Sequence, residues 1–375
     1  MGFTLEVDNY RALRKVRWSP SGVCAITGPN GAGKTTLLST IEFLRHFLER
    51  GIQGAVEFSG GTASIKNQQA AFKERIQLML GQGPCSWTVF AELKPPLLQI
   101  SEQVWNGDET VAGQNPDSNW VFVQEHELTV TGDSVFSHAM SLLPAEQRER
   151  LKGLHGLAST FRLYQNLQFW SLRTTGSPAT ADLYLHSDGR NAFSLLRNWK
   201  AGRKEHEERW LFVRDGLREC FPELFEDLEF LAAGQTVTVQ FFFRGLRQPI
   251  DAYSAPHGLL VALLHLCAIA SAPDGGAVAI DEPENGLHPY AIRTLMELAR
   301  ARAAAKDVTI LLATHSPVVL NTFNTEPERV YIMEPEHEVL PVALTEHSDP
   351  EWLAHFSLGD LYSDQTFGAQ RRPPP

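Results

Sequence analysis

The run Val23-Cys24-Ala25-Ile26 followed by Gly28-Pro29-Asn30-Gly31-Ala32-Gly33-Lys34-Thr35-Thr36 constrains the fold more than any other stretch. An apolar strand, a glycine-rich loop and a helical pattern from Leu37 make up the strand–loop–helix unit that cradles phosphates. Gly28, Gly31 and Gly33 let the backbone curl so that N–H groups converge on an anion at the positive end of the helix. Lys34 is expected to reach the β- and γ-phosphates and Thr35 to hold Mg²⁺ through its hydroxyl. Asn30, Gly31, Ala32, Gly33 and Thr36 complete the expected nucleotide-binding positions. An ordinary glycine turn before an amphipathic helix would leave Lys-Thr at this register unexplained.

Far downstream, Ala277-Val278-Ala279-Ile280 reads as a buried strand ending in Asp281-Glu282. Open α/β sheets bind ligands at strand ends, so both carboxylates are expected to face the phosphates. Asp281 is the natural second anchor of the Mg²⁺ shell, and Glu282 is placed to orient or deprotonate an attacking water. An acidic helix cap would explain one carboxylate but not the strand in front of both. A third apolar run, Val308-Thr309-Ile310-Leu311-Leu312-Ala313, ends in Thr314-His315-Ser316-Pro317. A histidine there can donate to a γ-phosphate oxygen and sense the nucleotide state.

Together, GPNGAGKTT, AVAIDEPENGLHP and LLATHSP resemble the ABC-type ATPase heads of the SMC, RecF and OLD (overcoming-lysogenization-defect) group, especially its compact bacterial predicted ATPases. Weaker matches are Asn9-Tyr10-Arg11-Ala12-Leu13 and Ser187-Asp188-Gly189-Arg190-Asn191. The resemblance implies an α/β P-loop NTPase fold, ABC-ATPase head-like, with a mixed sheet and an inserted, mainly helical lobe. It makes Lys34 and Thr35 the Walker A residues, Asp281 and Glu282 the Walker B pair, and His315 the switch histidine. It places Asn285 and Gly286 in a loop facing a second subunit. Arg11 stands where related heads turn a basic residue to the nucleotide; a solvated charge among Arg14, Lys15 and Arg17 is the alternative.

Such heads offer a closely spaced serine and glycine to the γ-phosphate of the opposite subunit, just before a long helix. Here the place reads Tyr253-Ser254-Ala255-Pro256-His257-Gly258, with Pro-His between them. Pro256 suits a first helical turn. Ser254, His257 and Gly258 are the candidate trans-acting contacts. A Mg²⁺-contacting glutamine is also expected, and Gln77, Gln82 and Gln124 remain open.

The chain divides into an N-terminal part of the head with the phosphate loop (1–95), the inserted lobe (96–235), a C-terminal part with signature loop, Walker B pair and switch histidine (236–345), and a C-terminal segment (346–375). Pro95-Pro96 and the polar stretch 106–119 read as loops. Residues 134–172 and 191–220 read as largely helical, and no sustained heptads of an SMC coiled coil are present. The proline-ended tail, Arg371 onward, cannot continue a helix.

The 375 residues are 43% hydrophobic, with 33 Lys and Arg against 44 Asp and Glu, a net charge of −11. That balance argues against charge-driven coating of nucleic acid, although local patches at 11–17 and at Lys200, Arg203 and Lys204 leave DNA contact open. The longest apolar segment, 258–272, contains His265 and is short of the roughly 20 residues of a membrane span; it reads as the buried helix after the signature loop. No secretory signal is recognisable, so cytoplasm is the expected compartment. The scattered Cys24, Cys85, Cys220 and Cys267 have no zinc spacing and read as buried thiols.

OLD-type proteins often carry a nuclease domain after the ATPase; here about 60 residues follow His315. The resemblance therefore implies an ATP-binding and ATP-hydrolysing head, with ATP and Mg²⁺ as cofactors, whose pairing into a homodimer or higher homo-oligomer switches a separately encoded effector. A nuclease of an anti-phage defence system is one such effector. The alternatives are a RecF-like DNA repair ATPase, a transporter ATP-binding subunit, disfavoured by the missing LSGGQ-type signature, and a nucleotide-gated scaffold with little turnover.

Overall fold

The computed structural model describes residues 2–70, 74–94, 97–114, 120–124, 126–129 and 133–368. Pro95-Pro96, residues 115–119 of the polar stretch and the tail from Arg371 lie outside the described residues. In chain order, β1 (Thr4–Tyr10) and β2 (Leu13–Trp18) precede β3 (Val23–Thr27), α1 (Lys34–Phe58) and α2 (Thr62–Ile65). The strands β4 (Ile76–Gln82), β5 (Cys85–Lys94), β6 (Leu97–Asn106), β7 (Glu109–Gln114), β8 (Trp120–Val123) and β9 (His126–Thr129) follow. Next come α3 (Val135–Leu142), α4 (Ala145–Thr160), β10 (Arg162–Tyr164), α5 (Phe169–Thr174), β11 (Ser177–Pro178), α6 (Ala192–Lys200) and α7 (Lys204–Cys220). The hairpin β12 (Phe225–Ala233) and β13 (Thr236–Phe243) and the short β14 (Ile250–Asp251) lead to α8 (His257–Ser271), β15 (Ala277–Asp281), α9 (Pro289–Lys306) and β16 (Thr309–Ala313). The chain ends through α10 (Pro317–Asn321), β17 (Val330–Ile332), β18 (Val342–Ala343), α11 (Leu344–His347), α12 (Pro350–Leu353) and α13 (Leu358–Ser363).

The central sheet runs β10-β15-β16-β3-β17-β18, parallel as far as β17 and antiparallel only at β18. Its middle strands are unbroken apolar runs because both faces are covered, as parallel strands require. Val23 and Ala25 of β3 face one core, while Cys24 and Ile26 face the other. The same alternation assigns Val278, Ile280, Ile310 and Leu312 to the first core and Ala279 and Leu311 to the second. The first core is closed by α6 to α9 and the small sheet β11-β13-β12, onto which β14 pairs. The second is closed by α1, α3, α4 and an eight-stranded antiparallel sheet, β2-β1-β4-β5-β6-β7-β8-β9. Within α8 every residue from Leu259 to Ala270 is buried, as a helix apolar on all sides must be. The four cysteines are free and buried. Among the described residues no helix is long and apolar enough to cross a membrane.

The inserted region departs from the mainly helical expectation for 96–235. Its first part continues the antiparallel sheet through β6 to β9, and β10 is an edge strand of the central sheet. The polar stretch from Asn106 holds a tight turn at Gly107 and then β7, so it is partly strand and not wholly loop. Asn106 pairs with Glu109, so the two-residue loop is Gly107-Asp108; glycine at the first loop position is a hairpin signal, and the polarity of the stretch masked it. Helix does occupy 135–160 and 192–220, each helix packed on a core and none forming an arm.

Within the second core, β6 buries Glu102. Its carboxylate accepts hydrogen bonds from Trp87 Nε1 (2.9 Å), Ser134 Oγ (2.9 Å) and the Val135 N–H (2.8 Å), tying the antiparallel sheet to the start of α3. Burial nevertheless dominates and pushes the carboxyl from 4.5 up to about 6. A folded-state value above the unfolded one contributes stability at low pH that is lost as pH rises through about 6, here roughly 2 kcal/mol. The stability of wild type relative to Glu102→Gln is therefore expected to fall by that amount between about pH 4.5 and about pH 7 in urea titrations. A pH-independent difference would contradict this.

Candidate functional site

The C-terminal ends of β3, β16 and β15 lie side by side, and each delivers part of one site. After Thr27 the chain turns through Gly28, where a Cβ would come within 2.3 Å of the Met333 carbonyl oxygen, so only glycine fits. At Gly33 φ is 96°, which L side chains rarely adopt. These two glycines curl residues 28–33 over the N-terminus of α1, which is kinked at Gly51 and has no side-chain cap and no acidic residue in its first turn. Its N-terminal N–H groups suit an anion. Lys34 Nζ is buried and donates to the carbonyls of Gly28 (2.9 Å) and Pro29 (3.1 Å), so its charge sits over the loop. Burial pulls its pKa down, opposed by the nearby Asp281 and Glu282.

Thr35 Oγ1 donates to Asp281 Oδ2 at 2.9 Å, joining the first turn of α1 to the end of β15. Burial raises the Asp281 carboxyl; the Thr35 hydrogen bond works against this, and Glu282 adds repulsion. Glu282 adopts φ 52°, held by its N–H on the Ala313 carbonyl (2.8 Å), and its carboxylate accepts from Asn285 Nδ2. Backbone in this region concentrates at functional sites.

Sequence reasoning assigned no role to Glu284. Its Oε1 accepts from Thr314 Oγ1 (2.9 Å) and from the His315 N–H (3.1 Å), latching the loop after β15 to the end of β16. Its Oε2 is buried with no hydrogen-bond partner among the described residues, and burial raises its carboxyl. The signal was present in Asp-Glu-Pro-Glu, whose last carboxylate follows the Walker B pair directly. Tyr362 was also missed: its hydroxyl meets His315 Nδ1 at 2.9 Å from α13, and no motif marks it. Burial, then the Lys34 charge, holds His315 below its ordinary pKa, so the ring is neutral at pH 7. A phenol that donates to Nδ1 would place the ring proton on Nε2, a donor among Lys34, Asp281 and Glu282.

The structure brings Lys34, Thr35, Asp281, Glu282 and His315 together with Asn30, Gly31, Ala32 and Thr36 of the same loop and helix turn. Arg11 lies in a cleft of about 800 Å³ that also includes Gly31, Ala32, Asn67 and His337, on the loop's outer side. Ser254 and Gly258 are not in contact with this subunit's phosphate loop in any hydrogen bond described. They flank the start of α8, which lies against the loop that follows β15 and so at the same end of the sheet. A Cβ at Gly258 would meet the Gly286 carbonyl at 2.9 Å, so the 254–258 segment packs on the Asn285-Gly286 loop, with His257 over Gly286. Ser254 and His257 are exposed.

None of the three glutamines hydrogen-bonds to Thr35 or Asp281. Gln82 donates to the Gly275 carbonyl (3.1 Å), Gln77 lines a shallow cleft with Asp8 and Arg14, and Gln124 follows β8. A separate cavity of about 480 Å³, lined by Arg162, Tyr184 and Arg209, opens at the opposite end of β15 and is remote from these groups.

The donor set fits a hard divalent cation: a hydroxyl and a carboxylate already within hydrogen-bond distance, beside two further carboxylates, of which Glu284 is raised by burial. In ¹⁵N NMR of the His315 ring, wild type is expected to show the Nε2–H tautomer and Tyr362→Phe a mixture of tautomers. Identical spectra would contradict the role of Tyr362.

A family model described as "AAA domain, putative AbiEii toxin, Type IV TA system" matches residues 23–321. No curated protein matches the chain. Among solved structures, an SMC head bound to the C-winged helix domain of ScpA is similar at 12% identity, covering 92% of this chain and 99% of that one, with a TM-score of 0.47. The SMC head domain from Thermotoga maritima aligns at 10% identity over 88% and 93%, with a TM-score of 0.35. An ATP-binding cassette of an ABC transporter in its ADP conformation aligns at 14% over 98% and 97%, with a TM-score of 0.42. Since the family model runs from β3 through α10 and so spans the strands and helices that carry the phosphate loop, the acidic strand end and His315, the chain belongs to this AAA-domain family and is a nucleotide-binding P-loop ATPase domain.

Proposed function

We propose that the protein binds ATP with Mg²⁺ at the ends of β3, β15 and β16, hydrolyses it, and uses ATP-driven pairing of two heads to switch a separately encoded effector in the cytoplasm. The observation that carries this reading is the Thr35–Asp281 hydrogen bond, which unites the phosphate loop with the acidic strand end. Lys34 turns from the Gly28 and Pro29 carbonyls to the β- and γ-phosphates. Thr35 and Asp281 hold Mg²⁺, which supplies charge neutralisation to the phosphates. Glu282 orients the attacking water and accepts its proton. His315, fixed by Tyr362, donates Nε2–H to a γ-phosphate oxygen, and Glu284 keeps the two strand ends in register.

Pairing is supported by the surface around the 254–258 segment. Exposed Trp170 and Tyr253 lie with ring centroids 6.4 Å apart, and Tyr290 is exposed just beyond the 284–288 loop. Exposed aromatic side chains flanking a polar loop fit a protein interface. Each nucleotide then lies between one subunit's phosphate loop and the other's Ser254 and Gly258. The words "toxin" and "TA system" in the family description accord with partner control in a defence setting; this rests on analogy. Charge pairing weighs against the DNA reading, because Arg17 is held by Asp8 and Glu6 and Lys15 by Glu338.

Two variants test the chemistry. Lys34→Ala is expected to lose ATP binding, while Glu282→Gln keeps binding and releases phosphate about 10²- to 10⁴-fold more slowly. A wild-type rate in Glu282→Gln overturns the assignment of the base. For the effector, a pull-down with Glu282→Gln from native cells is expected to recover a partner only with ATP. Recovery of none, or equal recovery without nucleotide, overturns the switch.

A further inference from the structure

The four cysteines are scattered, free and buried, with no spacing that would hold zinc. The fold instead assembles a donor set from Glu334, His337 and His347, whose ligand atoms all lie within 4.8 Å of one another. Glu334 follows the end of β17. The His337 N–H donates to the Glu334 carbonyl (3.1 Å), a turn that folds His337 back over the carboxylate, and His347 arrives from the end of α11. Glu334 is largely buried, and its Oε1 accepts from the Gly368 N–H at 2.7 Å. Its Oε2 faces two imidazole nitrogens, His337 Nε2 at 3.8 Å and His347 Nε2 at 4.0 Å.

These separations decide between two uses of the cluster. They exceed the roughly 3.2 Å limit of a hydrogen bond, so neither imidazole is hydrogen-bonded to the carboxylate. They are close to the roughly 3.3 Å between ligand atoms that tetrahedral geometry gives for bonds of about 2.0 Å to zinc. Bringing all three onto one ion closes the two carboxylate–imidazole separations by about 0.5 to 0.7 Å and the separation between the two imidazole nitrogens, which lie within 4.8 Å of each other, by at most about 1.5 Å. His347 Nδ1 meets Ser348 Oγ at 2.9 Å. An Nδ1–H donated to that hydroxyl leaves the Nε2 lone pair facing Glu334, the outer-shell arrangement that orients metal-bound histidines. Two nitrogens and one carboxylate oxygen suit zinc better than magnesium or calcium.

We propose that Glu334, His337 and His347 form a transition-metal site of the zinc class, separate from the Mg²⁺ position at Thr35 and Asp281, with a fourth position left to water. The ion fastens the C-terminal segment behind the phosphate loop. The carbonyl of Met333, next to Glu334, is the atom that excludes a Cβ at Gly28, and a Cβ on Gly368 would lie 3.5 Å from Gly28 Cα. His337 also lines the cleft that contains Arg11 and Gly31. The inference stands on these residues whether or not the chain hydrolyses ATP.

The test is a Zn²⁺ titration of the full chain, stripped with chelator, against a chromophoric competitor with Mg²⁺ in excess. Wild type is expected to take up about one equivalent, and His337→Ala/His347→Ala to bind at least roughly a hundredfold more weakly, with unchanged far-UV circular dichroism in chelator. Ser348→Ala is expected to lose about tenfold through the orienting contact alone. Zn²⁺ should raise the melting temperature of wild type and not that of the double variant. No uptake by wild type, or a loss below about tenfold in the double variant, overturns the site.

Discussion

The hydrogen bond from Thr35 to Asp281 ties together two parts of the chain that are far apart in sequence, and the rest of the site depends on it. It exists because β16 pairs with both β3 and β15, bringing the phosphate loop and the acidic strand end to the same edge of one parallel sheet. The same pairing sets His315 between them, at the end of the central strand. Both sheet faces must be dry for those strands to be apolar throughout, and two cores supply this, one rich in helices around α8 and one backed by a large antiparallel sheet. The polar site therefore forms only at the strand ends, where side chains leave the apolar layers.

Local chemistry explains why this much was legible. Gly28 and Gly33 are demanded by a carbonyl contact and a positive φ, and a phosphate loop can be read because its glycines have no substitutes. The strands β3, β15 and β16 are continuous apolar runs that end abruptly in polar residues, so their boundaries and ligand-facing ends are visible in composition. The strands after β5 were harder. Their partners are one another and their sequences mix polar with apolar residues, so the stretch that holds β7, Glu109–Gln114, read as loop together with the turn before it. Arg11, Ser254 and Gly258 could be nominated only by resemblance, and the three candidate glutamines had no local pattern to separate them.

What sequence reasoning missed lies at the C-terminus. Gly359 of α13 seats against the Pro317 carbonyl, where a Cβ would come within 2.4 Å, and Asn321 accepts from the Gly359 N–H at 2.7 Å. This docking brings Tyr362 to His315. Likewise, Glu334, His337 and His347 meet only because the segment after β17 folds back behind the phosphate loop. Tertiary contacts between residues with no shared periodicity leave no trace in a single sequence. Glu284 is different in kind: it stood inside a quoted motif, and only its contacts with Thr314 and His315 distinguish its role from that of its neighbours.

The central claim is that ATP at this site joins two heads. Light scattering of the Glu282→Gln protein, with Mg²⁺ and with or without ATP, measures it most directly. The account expects a smaller species without nucleotide and a dimer or larger assembly with ATP, since binding is retained while the base is removed. An unchanged mass at saturating ATP, with nucleotide binding demonstrated in the same sample, would contradict head pairing and leave a site that binds nucleotide without joining subunits.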